Sequence, residues 1–167
     1  DIDFSGIGGI ATLFDIDQIE VFRGPQGTRY GANALAGLIY MQSTDPGDTL
    51  SGRGNLLVGG DDAFGGGIAV GGPMGESAGF RVSAHHHESN GFRRNPFLGR
   101  DDTNGRDESS FRARFNWKAG NNWQFKLTSM YSDVDDGYDA FAIDNSLTVL
   151  SNRPGKDAQR SLGASFN

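Results

Sequence analysis

The stretch SSFRARFNWKA, residues 109–119, alternates strictly between apolar and polar side chains. Because successive side chains of a β-strand point to opposite faces, this period predicts a strand with one apolar and one polar side. The run WQFKLTSMYSD repeats the alternation after the short turn Gly120-Asn121-Asn122, which predicts an antiparallel hairpin. The apolar side of this hairpin carries Phe111, Phe115, Trp117, Phe125 and Leu127, and the polar side carries Arg112, Arg114 and Lys118.

Four other runs alternate in the same way and bring the prediction to about six strands. Each run has roughly 9–11 residues, which is the length at which a tilted strand crosses a bilayer. The fold class predicted from these runs is mainly β. They are centred on residues 56–58, 64–70, 80–84 and 162–166.

From the third strand on, the connections between the runs alternate in length in the order long, short, long. Outer-membrane barrels have short periplasmic turns and longer extracellular loops, so this rhythm favours a barrel. It predicts that the long connections lie outside the cell and that residues 119–122 lie in the periplasm. The compact connections are residues 59–63, 72–79 and 119–122, and the long ones are 89–108 and 133–157.

Two tryptophans support the barrel interpretation. Trp117 and Trp123 flank the short turn on the apolar side, where an interfacial aromatic girdle is expected. In a barrel the apolar side of the hairpin faces lipid and the polar side faces the lumen. A soluble β-sandwich with the same apolar residues in its core is the alternative at this point.

Composition excludes several classes of protein. Only 36% of the 167 residues are apolar and mean hydropathy is −0.47, and no run of apolar residues is long enough for a transmembrane helix. The net charge of −6 argues against a nucleic-acid partner, because phosphate binding needs a basic surface. The chain has no cysteine, so disulfides and thiol chemistry are excluded. It begins at Asp1 without a signal sequence and stops within an alternating run, which predicts a piece of a longer chain.

A glycine pattern near the start does not predict a nucleotide site. Gly6, Gly8 and Ala11 match G-x-G-x-x-A, but the strand-like run FDIDQIEVF follows almost at once. A dinucleotide site needs a crossover helix at this point, and there is no room for one. The chain also lacks a G-x-x-x-x-G-K-[ST] phosphate loop.

The stretch IEVFRGPQGTRYGANALAGLIYMQSTDP, which begins at Ile19, closely resembles the end of the plug domain in TonB-dependent outer-membrane receptors. Its glycines and proline also make sense as turn residues between two short strands, since Pro25 presets φ for the first corner of a turn and Gly27 closes it. The residues that carry the resemblance are Glu20, Arg23, Gly24, Pro25, Gly27, Tyr30, Gly31, Asn33 and Gly37.

The resemblance implies two domains: residues 1–46 as the C-terminal part of a plug, and residues 47–167 as the first strands of a 22-stranded β-barrel. It implies a receptor in the bacterial outer membrane for a scarce nutrient, most often a ferric siderophore. Its partners would be outer-membrane lipid, lipopolysaccharide and the TonB complex, which acts through an N-terminal segment that this chain lacks. It further implies that Glu20 and Arg23 lie against charged residues of the barrel wall.

Three clusters are candidates for ligand or metal binding. On a strand, His85 and His87 share the polar face and His86 does not, so a polar strand end is favoured over a metal site. Residues 133–139, DVDDGYD, miss the EF-hand spacing, which leaves a loop calcium site or a solvated acidic loop. The first long connection holds three arginines for an anionic ligand or for lipopolysaccharide phosphate. The acidic candidates are Asp133, Asp135, Asp136 and Asp139, and the arginines are Arg93, Arg94 and Arg100.

No Ser/His/Asp order, carboxylate pair or Cys/His pair predicts an enzyme, and no cofactor is expected. Two alternatives to the receptor stay open. A passive porin or adhesin barrel has no need of the RGPQGT segment, which argues against it. A soluble carbohydrate-binding β-sandwich accounts for the alternating runs but not for the long loops.

Overall fold

The computed structural model describes residues 13–27, 36–120, 122–138, 142, 144, 146–153 and 155–167. The chain divides into two units. The smaller unit is Asp15–Asp45, and the larger unit comprises Pro46–Asn167 together with Leu13 and Phe14. No helix in the described ranges is long and apolar enough to cross a membrane.

The smaller unit contains a two-stranded antiparallel sheet. Strand β1, Ile16–Arg23, pairs with β2, Gly37–Ser43, so that Arg23 lies opposite Gly37. The backbone leaves β1 through Gly24, whose φ of 82° lies in the left-handed region that glycine adopts at little cost. Both strands of the predicted plug segment are therefore present. Tyr30, Gly31 and Asn33 of its signature lie outside the described residues.

The larger unit contains one six-stranded antiparallel sheet in the order β3-β4-β5-β8-β9-β10. A short hairpin, β6 and β7, is inserted between β5 and β8. This confirms the mainly β fold with six antiparallel strands. The strand bounds are Ser51–Val58 (β3), Phe64–Met74 (β4), Ala78–Ser89 (β5), Arg93–Asn95 (β6), Arg100–Thr103 (β7), Arg106–Ala119 (β8), Trp123–Tyr138 (β9) and Gly155–Phe166 (β10).

Several strands are longer than the sequence predicts. Strands β8 and β9 have 14 and 16 residues, because pairing continues through polar residues that the sequence analysis assigned to loops. The long connections shrink accordingly from 89–108 to 90–105 and from 133–157 to 139–154. The predicted turn 72–79 shrinks to 75–77 because β4 continues to Met74.

The connections alternate between the two ends of the sheet. We call the end with residues 75–77 and 120–122 the turn end. The opposite end, the loop end, carries residues 59–63 and the two long connections. Asn90, in the β5–β8 connection, bonds to the 59–63 connection. Its backbone N–H donates to the Asp61 carbonyl at 3.0 Å, and its side chain donates to Asp62 at 2.7 Å.

The two faces of the six-stranded sheet have opposite character. The register places Phe80 beside Phe115 and Phe115 beside Leu127, so the predicted apolar side is confirmed as one continuous apolar face. This face is open, with Trp117 44% and Trp123 68% exposed. The polar face is the buried one. Its buried members include Arg81, Ser83, His85, His87, Glu108, Arg112 and Ser132.

Glycines of β4 make room for long side chains on the polar face. A Cβ at Gly71 would lie 2.9 Å from the Cβ and Cγ of Arg81, and a Cβ at Gly65 would lie 3.1 Å from His87 Nδ1. Strand β4 therefore has glycine where β5 has Arg81 and His87. The run FGGGIAVGG is glycine-rich because of this close cross-strand packing, and its glycines do not form turns.

Candidate functional site

The polar face gathers ionisable side chains from β5 and β8. Glu108 is 1% exposed, and one of its carboxylate oxygens accepts a hydrogen bond from Arg106 Nη1 at 2.9 Å. His87 lies directly opposite Glu108 in the β5–β8 register. Burial of so many polar groups requires that they bond to one another, to water or to a ligand. This face is therefore the first candidate for binding polar molecules.

The three histidines divide between the two faces, as the alternation predicts. His85 and His87 are buried on the polar face, with 8% and 6% exposure. His86 points to the other face, where its Nδ1 lies 2.9 Å from Ser109 Oγ. Within the described residues, no group of three or more His, Cys, Asp or Glu side chains converges as metal ligands.

The loop end contains an open cleft of about 440 Å³ between the β5–β8 connection and the tops of β9 and β10. Three basic residues line it, and so do four aspartates. Of the three predicted arginines, only Arg100 lies here. The basic residues are Arg100, Arg106 and Lys156, and the acidic ones are Asp102, Asp107, Asp135 and Asp136.

Ion pairs organise this cleft. Arg100 Nε donates to Asp102 Oδ1 at 2.7 Å, and this hydrogen bond lowers the pKa of the Asp102 carboxyl. Lys156 Nζ lies 2.8 Å from Asp135 Oδ1. Each basic group of these two pairs is more than half exposed, so each pair stays accessible to an incoming anion. Sequence reasoning missed Arg106 and Lys156, which are isolated basic residues in runs that read as loop.

Arg93 and Arg94 have structural roles at the base of the β6–β7 hairpin. Arg93 Nη1 donates to the Ser146 carbonyl at 3.4 Å, and its guanidinium lies 5.6 Å from the centre of the Phe92 ring. Arg94 bonds through its backbone to Leu147 and Val149. These contacts join the two long connections. All three arginines lie on the β6–β7 hairpin, but only Arg100 lines the cleft.

The prediction that the DVDDGYD aspartates form an acidic loop is wrong. Asp133, Asp135 and Asp136 lie on strand β9, where neighbouring side chains point to opposite faces. Asp133 pairs with Arg160 at 3.1 Å, and Asp135 pairs with Lys156, while Asp136 accepts the backbone N–H of Asp107 at 3.0 Å. Asp133 and Asp135 therefore share one face and Asp136 lies on the other, and each of the three has a partner already. Asp139 lies outside the described residues.

The described plug-signature residues lie on β1, in the turn after it and at the start of β2. Glu20 accepts a hydrogen bond from Gln18 Nε2 at 2.8 Å, and Arg23 is exposed within its unit. Gly24, Pro25 and Gly27 follow β1 directly, and the Gly24 N–H donates to the Ala36 carbonyl at 3.2 Å. Gly37 begins β2. A Cβ on Gly37 would lie 2.6 Å from the Phe22 carbonyl oxygen, so the signature glycine permits a close backbone approach.

Comparison with solved structures identifies this arrangement of strands. The chain superposes on the pyoverdine outer membrane receptor FpvA from Pseudomonas aeruginosa PAO1, bound to pyoverdine, with a TM-score of 0.63 and 21% identity. The match covers 73% of this chain and 17% of the receptor. The two share a fold. The chain spans less than a fifth of the length of that receptor.

No protein-family model matches the sequence, and no curated protein does.

Proposed function

We propose that this chain is part of a TonB-dependent outer-membrane receptor that takes up a scarce nutrient, a ferric siderophore. Residues 1–46 form the C-terminal part of its plug, and residues 47–167 form six consecutive strands of its 22-stranded barrel. The TonB complex supplies the energy for uptake. The protein transports its ligand and does not transform it chemically, so it is not an enzyme.

The observation that carries the proposal is the inversion of the two sheet faces. In a water-soluble protein the apolar face of a sheet is buried, whereas here the apolar face is exposed and the polar face is buried. A bilayer is the environment in which this arrangement is stable, because lipid covers the apolar face and the lumen solvates the polar one.

The dimensions of the apolar face fit a bilayer. On β8 it runs from Phe111 to Ala119, which is eight residue steps, or about 26 Å at roughly 3.3 Å per residue. A strand tilt of about 40° reduces this to a height of about 20 Å, close to the ~25 Å apolar band of outer-membrane barrels. Trp117 and Trp123 stand at the turn end of the band, where the periplasmic aromatic girdle belongs.

The proposed direction of the barrel follows from the connections. The turn end is periplasmic and the loop end is extracellular, since bacterial barrels have short periplasmic turns and long outer loops. The cleft with Arg100, Arg106 and Lys156 then opens toward the outside of the cell. Four aspartates balance its three basic groups, so the support for a siderophore ligand is the receptor that shares this fold, which is one bound to pyoverdine.

The alternatives fit these observations less well. A carbohydrate-binding β-sandwich needs a second sheet over the apolar face, and no described strand covers that face. A passive porin or adhesin barrel has no use for the RGPQGT segment, which here sits in a separate unit with its own strand pair.

The test uses the full-length protein in its own bacterium. We expect the protein in the outer-membrane fraction, and we expect deletion of its gene to abolish iron-limited uptake of radiolabelled ferric pyoverdine or of another ferric siderophore. Loss of TonB should have the same effect. Full-length protein in the soluble periplasmic fraction would refute the barrel, and uptake that continues without TonB would point to a passive porin.

A further inference from the structure

Phe14 lies in an unusual environment. It belongs to the larger unit and directly precedes Asp15, the first residue of the smaller one. Although its side chain is aromatic, it is only 7% exposed and contacts residues of the polar face. The neighbouring Leu13 is 49% exposed.

Three contacts hold Phe14 in place. Its ring stacks on the imidazole of His85, with centroids 5.2 Å apart and an interplanar angle of 29°. The Arg53 guanidinium lies 5.8 Å from the ring centre, within cation–π range. The Phe14 carbonyl accepts a buried hydrogen bond from Arg112 Nη1 at 3.0 Å. A charge-assisted bond of this kind is stronger than a neutral one.

Gly67 provides the space for the ring. A Cβ at this position would lie 2.6 Å from His85 Cδ2, 2.7 Å from Asn55 Oδ1 and 2.9 Å from Phe14 Cε2. Any larger residue at position 67 must therefore displace either His85 or Phe14. The His85 side chain contacts Phe14 through ring stacking. Its Nδ1 has no hydrogen-bond partner among the described residues.

We propose that Arg53, Gly67, His85 and Arg112 form a docking site for Phe14, which we call the Phe14 socket. The socket fixes the chain to the inner wall of the barrel immediately before Asp15 and so helps to keep the lumen closed. This role rests on the proposed function, because the proposed function assigns the polar face to the lumen of a plugged barrel. Phe14 acts as a positioning residue and does not touch the ligand.

The physical reason for the socket is the location of the ring. On a solvated, polar barrel wall an aromatic side chain gains little unless its faces are covered. The His85 ring, the Arg53 guanidinium and the close approach of Gly67 surround the ring within one small site. Loss of the ring removes the aromatic and cation–π contacts together, which should raise the undocked population on the order of 10- to 100-fold.

Photo-crosslinking tests the socket directly in the full-length receptor. A benzophenone amino acid at position 14 should cross-link to peptides of β3, β4 and β5, which mass spectrometry of the digested protein would identify. The same probe at the exposed position 13 is the matched control and should give far less of these products. Equal cross-linking from both positions, or none from position 14 to these strands, would overturn the proposal.

Valine substitutions of neighbouring glycines test the role of the socket with Phe14 unchanged. Gly67→Val blocks the socket, whereas at Gly66 the nearest atom to a new Cβ is the Asn55 carbonyl oxygen at 3.8 Å. We expect Gly67→Val, but not Gly66→Val, to sensitise cells to a large glycopeptide antibiotic at equal receptor levels. Phe14→Ala should act like Gly67→Val, and the two together should not add.

The outcomes separate this proposal from the proposed function. A receptor that stays in the outer membrane and takes up its ligand, with Gly66→Val and Gly67→Val cells equally sensitive, would overturn the socket alone. A chain that gives the Phe14 cross-links but is absent from the outer membrane would overturn the proposed function and the role in closing the lumen, and would leave only the contact between Phe14 and the socket.

Discussion

Arginine substitution at two depths of the apolar face measures whether a bilayer covers it. Ala113 and Ala119 both lie on β8 and both carry their side chains on the apolar face. Replacement of either alanine by arginine makes the same chemical change and removes only a methyl group. The two sites differ chiefly in their depth within the proposed bilayer.

The expected magnitudes follow from strand geometry. The middle of the β8 apolar band is Phe115, so Ala113 is two residue steps and Ala119 four steps from the midplane. With a rise of about 3.3 Å and a tilt of about 40°, these steps correspond to heights of about 5 Å and 10 Å. Arginine costs about 2–4 kcal/mol at the midplane and about 0–1 kcal/mol near the interface. We therefore expect about 2 kcal/mol for Ala113→Arg and under about 1 kcal/mol for Ala119→Arg.

The assay compares the urea resistance of the full-length receptor variants after folding into lipid vesicles, with folded and unfolded forms separated by their gel mobility. A difference of about 1.4 kcal/mol is a tenfold change in the folding equilibrium, which such titrations resolve. Arg114 follows Ala113 on β8 but carries its side chain on the polar face, so Arg114→Gln is the control for general damage to the strand. If Ala119→Arg cost as much as Ala113→Arg, or if both were neutral, the bilayer argument would fail.

Three further predictions concern the loop end, the plug and one loop glycine. An epitope inserted after Asn104 should bind antibody on intact cells and one in the turn 120–122 should not; the reverse result would invert the barrel. Arg23→Ala should loosen the plug, because a partner charge on the barrel wall would be left unpaired. Sensitivity to large antibiotics should then rise and energised uptake should fall. Unchanged permeability and uptake would argue against the plug assignment. Gly91→Ala should expose the β5–β8 connection to trypsin more than Gly99→Ala does. Both glycines have positive φ, which costs about 1 kcal/mol for alanine. Only Gly91 is also crowded by neighbouring backbone, so its substitution should disturb the connection more. Equal cleavage of the two variants would show that this crowding is relieved easily.

The candidate sites show where sequence reasoning succeeded and where it failed. The period-2 alternation correctly placed His85 and His87 on the polar face, because side-chain direction on a strand is a local property. The aspartates of DVDDGYD were misassigned because a run of polar residues at a strand end looks like a loop. Only the pairing of β9 with β8 and β10 shows that the strand continues through them.

The sequence by itself determined the positions of the six long strands and the two faces of the sheet, since alternation and short turns act between residues close in the chain. It did not determine the ends of β8 and β9 or the short hairpin of β6 and β7. It also carried the plug resemblance. The tertiary structure decided which residues meet across long separations: Arg112 and Phe14 are 98 positions apart and share a buried hydrogen bond. It also decided where glycine is required, because at Gly67 the space is set by side chains of other strands and not by local backbone preference. Exposure of the apolar face belongs to this second group, since burial depends on what the rest of the chain covers.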